Sequence, residues 1–243
     1  MVIDIGNSFS KVGLFDKNIL IEYKEFKLFS VDDIKSFFSS KTITNSIISN
    51  VSSYDKKVFE FLNTNSNLVL FDAEIKLPFK NKYGSVETIG NDRIALVSQA
   101  SRLYPDKNVL VIDSGSCITY DFLNDKNEYL GGGISPGLNM KLKALNNQTA
   151  RLPLVKKTQI KYLIGKSTET SILSGVINGT LGEINYIIEE YKKRYKKIVI
   201  ILTGGDLNFL FNHLKNGILA DPKFLLSGLN ILIELNKKEW INI

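Results

Sequence analysis

The 243-residue chain has very few residues that bind metals or form disulfides: one cysteine, Cys117, and one histidine, His213. A single cysteine cannot close an intramolecular disulfide, and together the two residues cannot form a zinc site. We therefore expect Cys117 to be a small, buried apolar residue. No recognisable sequence context makes His213 a general base, so any acid–base chemistry falls to carboxylates.

Long apolar runs are also absent. No stretch of about 18 apolar residues occurs, which predicts that no helix spans a membrane. The first residues, Met1-Val2-Ile3-Asp4, lack the basic and apolar regions of a signal peptide, so we expect a cytoplasmic protein. A composition of 44% hydrophobic and 23% charged residues is typical of a globular protein.

The net charge of +6 is spread along the chain, and its densest run lies at residues 192–197. We interpret this run as the solvated end of a helix, because lysines there complement the helix dipole. No nucleic-acid-binding module is recognisable, so we expect no nucleic-acid partner. A modest positive charge also suits an enzyme with anionic substrates.

Strands and helices alternate along the chain, which predicts an α/β fold. An apolar strand, an acid, a glycine turn and a second strand occur twice, beginning at Ile3 and at Ile112. This repetition predicts two similar lobes, residues 1–106 and 107–243. Strands are predicted over residues 1–5, 11–15, 19–26, 46–51, 68–71, 108–113, 117–123, 129–130 and 198–202. Helices are predicted over residues 32–39, 58–62, 92–104, 167–190, 207–214 and 224–235, and a loop over residues 74–89. The glycines of residues 131–137 either allow the backbone to approach a ligand or the other lobe, or belong to a flexible loop.

The first glycine turn follows the first strand, with the sequence Asp4-x-Gly6-Asn7-Ser8. Successive amides of such a turn can form an anion-binding nest, and the side chains of residues 7 and 8 can donate to phosphate oxygens. Lys11 adds a positive charge, and Asp4 could hold magnesium directly or through water. The alternative interpretation is an ordinary hairpin turn.

Two further glycine turns follow strands, Asp113-Ser114-Gly115-Ser116 and Thr203-Gly204-Gly205. No Walker A sequence and no G-x-G-x-x-G motif accompany them, which excludes the two commonest nucleotide-binding designs. The arrangement resembles the actin, hexokinase and acetate-kinase superfamily. That resemblance implies two ribonuclease-H-like lobes, with mixed sheets flanked by helices and a cleft for ATP between them.

The segment Gly90-Asn91-Asp92-Arg93 begins a predicted helix. Asp92 can serve as an N-cap or first-turn acid, which stabilises a helix by about 1 kcal/mol. Arg93 is unfavourable there, because a cation in the first turn opposes the helix dipole. An anionic ligand nearby would explain that charge. The hypothesis is that Asp92 acts as a base and Arg93 binds a carboxylate.

The long helix predicted over residues 167–190 carries an apolar stripe, which is typical of a core face. Ser171, Gly175 and Gly179 form a second row at steps of four. Each glycine costs a helix about 1 kcal/mol relative to alanine, so a packing reason is plausible. The small row permits another backbone to approach closely.

Taken in order, these motifs resemble the type III pantothenate kinases, which carry D-x-G-N-[ST], G-x-D-R, D-x-G-T, G-G-x-I-x-P-G-x-x-M and T-A-x-L-P. The chain matches them at residues 4–8, 90–93, 113–116, 132–140 and 149–153. Ser116 stands where the family usually has threonine, which keeps the hydroxyl. The resemblance extends from residue 2 to about residue 230.

The resemblance implies ATP-dependent phosphorylation of pantothenate at its primary hydroxyl, the first step of coenzyme A synthesis, in a homodimer that needs magnesium with ATP. It implies that Asp92 accepts the proton and that Asp113 binds a monovalent cation, potassium or ammonium. Pantothenate would contact Tyr83, Gly90, Asn91, Asp92, Arg93 and Thr168. ATP would contact Asp4, Ile5, Gly6, Asn7, Ser8, Phe9, Ser10, Lys11 and Ser116.

Two other classes of protein remain open from the sequence. One is another enzyme of the superfamily, such as a sugar kinase or a phosphatase. The other is a binding protein that acts as a transcriptional accessory factor. The presence of both Asp92 and Asp113 favours an enzyme.

Overall fold

The computed structural model describes residues 1–6, 9–50, 56–72, 74–210, 214, 218–219 and 223–237. The chain divides into two compact units. The first comprises Met1–Pro105 with Lys223–Ile243, and the second comprises Asp106–Pro222. Within the described ranges, no helix combines the length and the apolar character needed to cross a membrane.

The first unit contains a five-stranded mixed sheet in the order β3-β2-β1-β4-β5. Its first three strands form an antiparallel meander, and β4 runs parallel to β1 and to β5. The strands are β1 (Val2–Ile5), β2 (Ser10–Asp16), β3 (Ile19–Phe26), β4 (Asn45–Asn50) and β5 (Asn67–Val69). Because β1 is fully buried, its residues are almost all apolar.

Two amphipathic helices connect the strands of this sheet: α1 (Val31–Phe38) joins β3 to β4, and α2 (Lys56–Asn65) joins β4 to β5. Their buried faces carry Ile34 and Leu62, which pack in one apolar cluster with Ile3 of the sheet. The chain then forms a short strand β6 (Lys80–Asn81), a 3₁₀ turn at Val86–Thr88 and helix α3 (Asn91–Leu103).

The second unit repeats the strand arrangement of the first. Within it the strands lie in the order β9-β8-β7-β10-β11, with β7, β8 and β9 antiparallel and β10 parallel to β7 and β11. They are β7 (Val109–Ser114), β8 (Cys117–Leu123), β9 (Glu128–Pro136), β10 (Val199–Thr203) and β11 (Ile218–Leu219). The same 3-2-1-4-5 order in both units confirms the prediction of two similar ribonuclease-H-like lobes.

Residues 131–136 belong to strand β9, so the interpretation of this glycine-rich segment as a flexible loop is wrong. Gly132 pairs with Asp121 and Gly133 pairs with Tyr120 of β8. A Cβ atom on Gly132 would lie 1.6 Å from the backbone oxygen of Tyr120, so a side chain does not fit there. Glycine usually weakens a strand, and that is why the sequence pattern indicated a loop.

The second unit also contains α4 (Leu138–Asn147), α5 (Thr168–Arg194) and the four-residue helix α6 (Leu207–Leu210). The predicted stripe of α5 is buried at Ile172, Val176, Ile177, Ile184 and Ile188. The last part of the predicted helix 207–214, residues 211–213, lies outside the described residues together with His213. Cys117 is half-buried rather than buried, because it begins β8 beside an exposed turn.

The closing helix α7 (Phe224–Asn236) lies in the first unit, where it packs against α3. A Cβ atom on Gly228 would lie 1.8 Å from the backbone oxygen of Ala95, so glycine allows the two helices to approach closely. The predicted lobe boundary at residue 106 places α7 in the second lobe instead. Sequence order alone carried no sign that the chain returns to the first unit.

Candidate functional site

The first candidate turn joins β1 to β2 in the first unit. Asp4 lies directly opposite Lys11, and Ile5 lies opposite Ser10. The N–H of Gly6 donates to the backbone oxygen of Phe9 at 3.2 Å, which closes the turn. Asn7 and Ser8 lie outside the described residues, so their contacts with phosphate stay a prediction.

Asp4 has an unusual electrostatic setting. It is 8% exposed, and this burial raises the pKa of its carboxyl from 3.8 to about 6. The Lys11 amino group opposes the rise in pKa, whereas the carboxylate of Asp92 adds to it. The fold therefore brings the two predicted acids of the first unit, Asp4 and Asp92, within electrostatic reach of each other.

Asp92 lies in the first turn of α3, and the N-cap of that helix is Gly90. The Oδ1 atom of Asp92 accepts a hydrogen bond from the N–H of Arg93 at 2.8 Å. A Cβ atom on Gly90 would lie 2.3 Å from the same Oδ1, so the glycine makes room for the carboxylate. Asp92 is thus a half-buried first-turn acid and not the cap.

Arg93 is buried, with 4% of its surface exposed. Its guanidinium carbon lies 5.5 Å from the centre of the Tyr83 ring, a distance that gives a favourable cation–π interaction. The two predicted substrate residues therefore contact each other. Only a small part of the arginine surface is open to a ligand.

The second candidate turn joins β7 to β8 in the second unit. Asp113 is half-buried and lies opposite Thr119 of β8 and Thr203 of β10. The N–H of Gly115 donates to the backbone oxygen of Cys117 at 2.9 Å and closes the turn. Ser116 at its tip is exposed, so its hydroxyl is accessible to a ligand.

The third glycine turn packs directly on the second. Gly204 has a φ of +104°, a conformation that favours glycine. A Cβ atom there would lie 2.3 Å from Oδ1 of Asp113 and 2.3 Å from the backbone oxygen of Ser114. The N–H of Asp206 donates to that same oxygen at 2.8 Å. Asp113 is therefore held between two turns of one unit.

Sequence patterns did not identify two charged residues near these turns, Asp206 and Lys157. The carboxylate of Asp206 accepts a hydrogen bond from the amino group of Lys157. The position of Asp206, directly after the glycines at the end of β10, could have identified it as a candidate site residue. No local pattern identifies Lys157, because it lies in a segment without helix or strand.

The remaining predicted substrate residue, Thr168, is the first residue of α5 and is exposed. It belongs to the second unit, whereas Tyr83 and residues 90–93 belong to the first. Among the described residues, no group of three or more His, Cys, Asp or Glu side chains could hold a metal ion.

The repeated sheet order and the strand-end glycine turns place the chain among the two-lobed α/β proteins of the actin and hexokinase type. A ROK family glucokinase from Streptomyces griseus, solved with glucose and AMPPNP, has this fold: the TM-score is 0.52 at 12% identity, over 95% of this chain and 97% of that one. A Baf family protein from Campylobacter jejuni gives a TM-score of 0.58 at 24% identity, over 96% of both chains.

The sequence pattern of the type III pantothenate kinase family matches residues 1–190. A type III pantothenate kinase from Christiangramia forsetii is 45% identical over 98% of this chain and 99% of its own length. The chain therefore belongs to the type III pantothenate kinase family.

Proposed function

We propose that this chain transfers the γ-phosphoryl group of ATP to the primary hydroxyl of pantothenate and so forms 4′-phosphopantothenate, the first step of coenzyme A biosynthesis. Membership of the family supports the reaction. The structural observation that carries it is the proximity of Asp92 to Asp4: the start of α3 lies near enough to the end of β1 for the Asp92 carboxylate to help raise the pKa of Asp4. Arg93 and Tyr83 lie against each other in the same unit.

Asp92 is the proton acceptor in this proposal. The pantothenate oxygen forms a bond to the γ-phosphorus while the bond from that phosphorus to the bridging oxygen breaks, and ADP leaves. The hydroxyl proton passes to the carboxylate of Asp92. A positioned base of this kind contributes about 10² to 10⁴ in rate, and the remainder comes from positioning and from charge stabilisation on the phosphoryl oxygens.

ATP would be bound by residues 4–11 of the first unit and by Ser116 of the second. The turn offers backbone amides to the phosphates, and Lys11 offers a positive charge. Asp4 fits a role beside magnesium, because a divalent cation would favour the ionised form of its buried carboxyl. When bound, magnesium neutralises charge on the phosphates.

Asp113 would bind the monovalent cation, potassium or ammonium. The half-buried carboxylate supplies charge, and Thr119 lies directly opposite it across the hairpin. The Oγ1 atom of Thr119 is buried without a hydrogen-bond partner in the described residues. A buried hydroxyl with unused acceptor capacity supports an oxygen-lined site for a cation at this end of the sheet.

Pantothenate would be held through its carboxylate by Arg93, since a guanidinium binds a carboxylate in a bidentate manner. Tyr83, residues 90–91 and Thr168 would contact the rest of the substrate. We place the reaction in the cytoplasm, where ATP is abundant.

We also propose that the chain is a homodimer that pairs through α5. Ser171, Gly175 and Gly179 are exposed along one face of that helix. A Cβ atom on either glycine would meet nothing within 4 Å in its own chain. Gly175→Leu should therefore leave the protomer folded and shift the protein from dimer to monomer in sedimentation velocity. A wild-type chain that is monomeric at micromolar concentration would overturn the pairing.

The decisive test of the reaction is coupled ATP turnover with a panel of acceptors: pantothenate, pantetheine and several sugars. We expect turnover with pantothenate and none with the sugars. Turnover with a sugar alone would assign the chain to a different kinase activity. Nucleotide binding without turnover on any acceptor would favour a binding protein.

A further inference from the structure

One partly buried ion pair of the second unit has no part in the function proposed above. Lys157 donates a hydrogen bond to Oδ1 of Asp206. The aspartate side chain is 5% exposed and the lysine side chain 30% exposed. The other oxygen, Oδ2, is buried without a hydrogen-bond partner in the described part of the chain. Such a pair is weak evidence for stability, because desolvation of the charges offsets their attraction.

The segment that carries Lys157 holds the loop around Asp206 by further contacts. The side-chain amide of Gln159 donates to the backbone oxygen of Phe209 at 2.9 Å. The Lys157 amino group lies 5.7 Å from the centre of the Phe209 ring. Ile160, which is 6% exposed, belongs to the apolar cluster that contains Leu207. Residues 157–160 therefore pack against the turn and the short helix α6 that follow β10.

The turn after β10 also contacts the segment proposed to bind the cation and the nucleotide. The N–H of Asp206 donates to the backbone oxygen of Ser114 at 2.8 Å. Gly204 packs against Asp113 and Ser114 so closely that no side chain fits between them. A movement of Asp206 would therefore alter its hydrogen bond to Ser114, the residue that follows Asp113.

We propose that Lys157 is a positioning residue: through its ion pair with Asp206, it holds the Asp113–Ser116 turn in the geometry that binds the monovalent cation and ATP. The proposal rests on the roles proposed above for Asp113 and Ser116. Lys157 acts on those residues through Asp206, its ion-pair partner. Its loss should change cation and nucleotide affinity and leave pantothenate affinity unchanged.

The first experiment is hydrogen–deuterium exchange, which needs no assumption about the reaction. In Lys157→Gln, the amide of Asp206 should exchange at least about threefold faster, since the bond to Ser114 opens more often. Exchange in α5 should be unchanged. Lys157→Arg keeps the charge and should restore protection. Lys141→Gln is the control, because the Lys141 side chain is similarly exposed and its ion pair with Glu183 joins α4 to α5.

Unchanged exchange at Asp206 in Lys157→Gln would overturn the proposal, and so would an equal effect of Lys141→Gln. The double variant Lys157→Gln with Asp206→Asn leaves no unpaired charge and should fold even where the single variant does not. It should show the same faster exchange at residue 206. Protection equal to wild type in this double variant would also overturn the proposal.

The second experiment is kinetic. In Lys157→Gln, the potassium concentration for half-activation and the KM for ATP should each rise about threefold to fivefold, the size expected for one partly exposed charge pair. The KM for pantothenate and the melting temperature should stay close to wild type. A parallel rise in both KM values would mean that the pair only stabilises the fold. A wild-type enzyme that does not phosphorylate pantothenate would refute the proposed function, and the exchange result would still decide the role of Lys157.

Discussion

Each unit places a glycine turn after the equivalent strand of its own sheet, yet the two turns differ in charge. In the first unit, buried Asp4 faces Lys11 across the hairpin. In the second unit, half-buried Asp113 faces Thr119, which carries no charge. One topology therefore presents an acid paired with a base at one turn and an acid paired with a hydroxyl at the other.

The difference teaches how a duplicated hairpin can serve two kinds of ligand. A lysine opposite the acid makes the first turn suitable for phosphate oxygens. An acid opposite a hydroxyl makes the second turn suitable for a cation, because hard cations take oxygen ligands. The predictions below test whether the two turns have separate roles.

The largest effect should come from Asp92→Asn, which tests the chemistry beside the first turn. Asparagine keeps the size of the side chain, and its amide oxygen can still accept from the N–H of Arg93, so folding should be near-native. The loss of a proton acceptor should lower kcat by about 10² to 10⁴. Steady-state kinetics and a melting curve measure the two quantities.

Asp32→Asn is the matched control, since Asp32 is also a first-turn acid, in α1, and is exposed. Its kcat should equal that of the wild type. If Asp92→Asn keeps more than about a tenth of the wild-type kcat, Asp92 only stabilises the start of α3. The proton acceptor must then be sought at Asp4 or Asp113.

The second prediction concerns the buried acid of the first turn. The pKa of Asp4 is raised to about 6 in the folded chain, so the folded state binds this proton more tightly than the unfolded state. The free energy of unfolding should therefore fall as pH rises from about 4 to 6. Ionisation costs up to about 3 kcal/mol over that range, at about 1.4 kcal/mol per pKa step.

Asp4→Asn removes this titration. Its free energy of unfolding should exceed that of the wild type at pH 8 and approach it at pH 4, as measured by urea unfolding at several pH values. ATP turnover should fall in the same variant. Identical pH dependence of stability in Asp4→Asn and wild type would show that Asp4 is not the cause.

The paired turns also show how far the sequence predicts this molecule. The repeated acid–glycine pattern predicted the two lobes, because strand-end turns of equal composition follow equal strands. The helix start at Asp92 was equally visible, since apolar periodicity begins there. These features are local in sequence, and local patterns reveal them.

Contacts between distant segments were not predictable in the same way. The pairing of Lys157 with Asp206 joins residues that no periodic pattern links. Helix α7 returns to the first unit because Gly228 allows close packing on α3, which a sequence pattern does not indicate. The strand at residues 131–136 was not recognised because Gly132 is required by its close contact with the Tyr120 backbone, not by a turn.

The third prediction tests the charge of the first turn. Lys11→Ala should raise the KM for ATP about tenfold, because a lysine contact with phosphate is worth about 1 to 2 kcal/mol near the surface. The KM for pantothenate should change much less. Lys35→Ala in α1, where the lysine is exposed, should alter neither value. Equal losses of affinity for both substrates in calorimetry would contradict the phosphate role.

The smallest effect should come from the second turn. Activity should rise when potassium replaces sodium, and Asp113→Asn should flatten that response. We expect no more than about a fivefold change, because one partly exposed charge pair is worth up to about 1 kcal/mol.

Thr119→Val removes the facing hydroxyl and should flatten the potassium response in part. Lys11→Ala should leave it intact, since Lys11 belongs to the other turn. An enzyme indifferent to potassium, or a potassium response lost in Lys11→Ala and kept in Asp113→Asn, would mean that the two turns do not divide the ligands in this way.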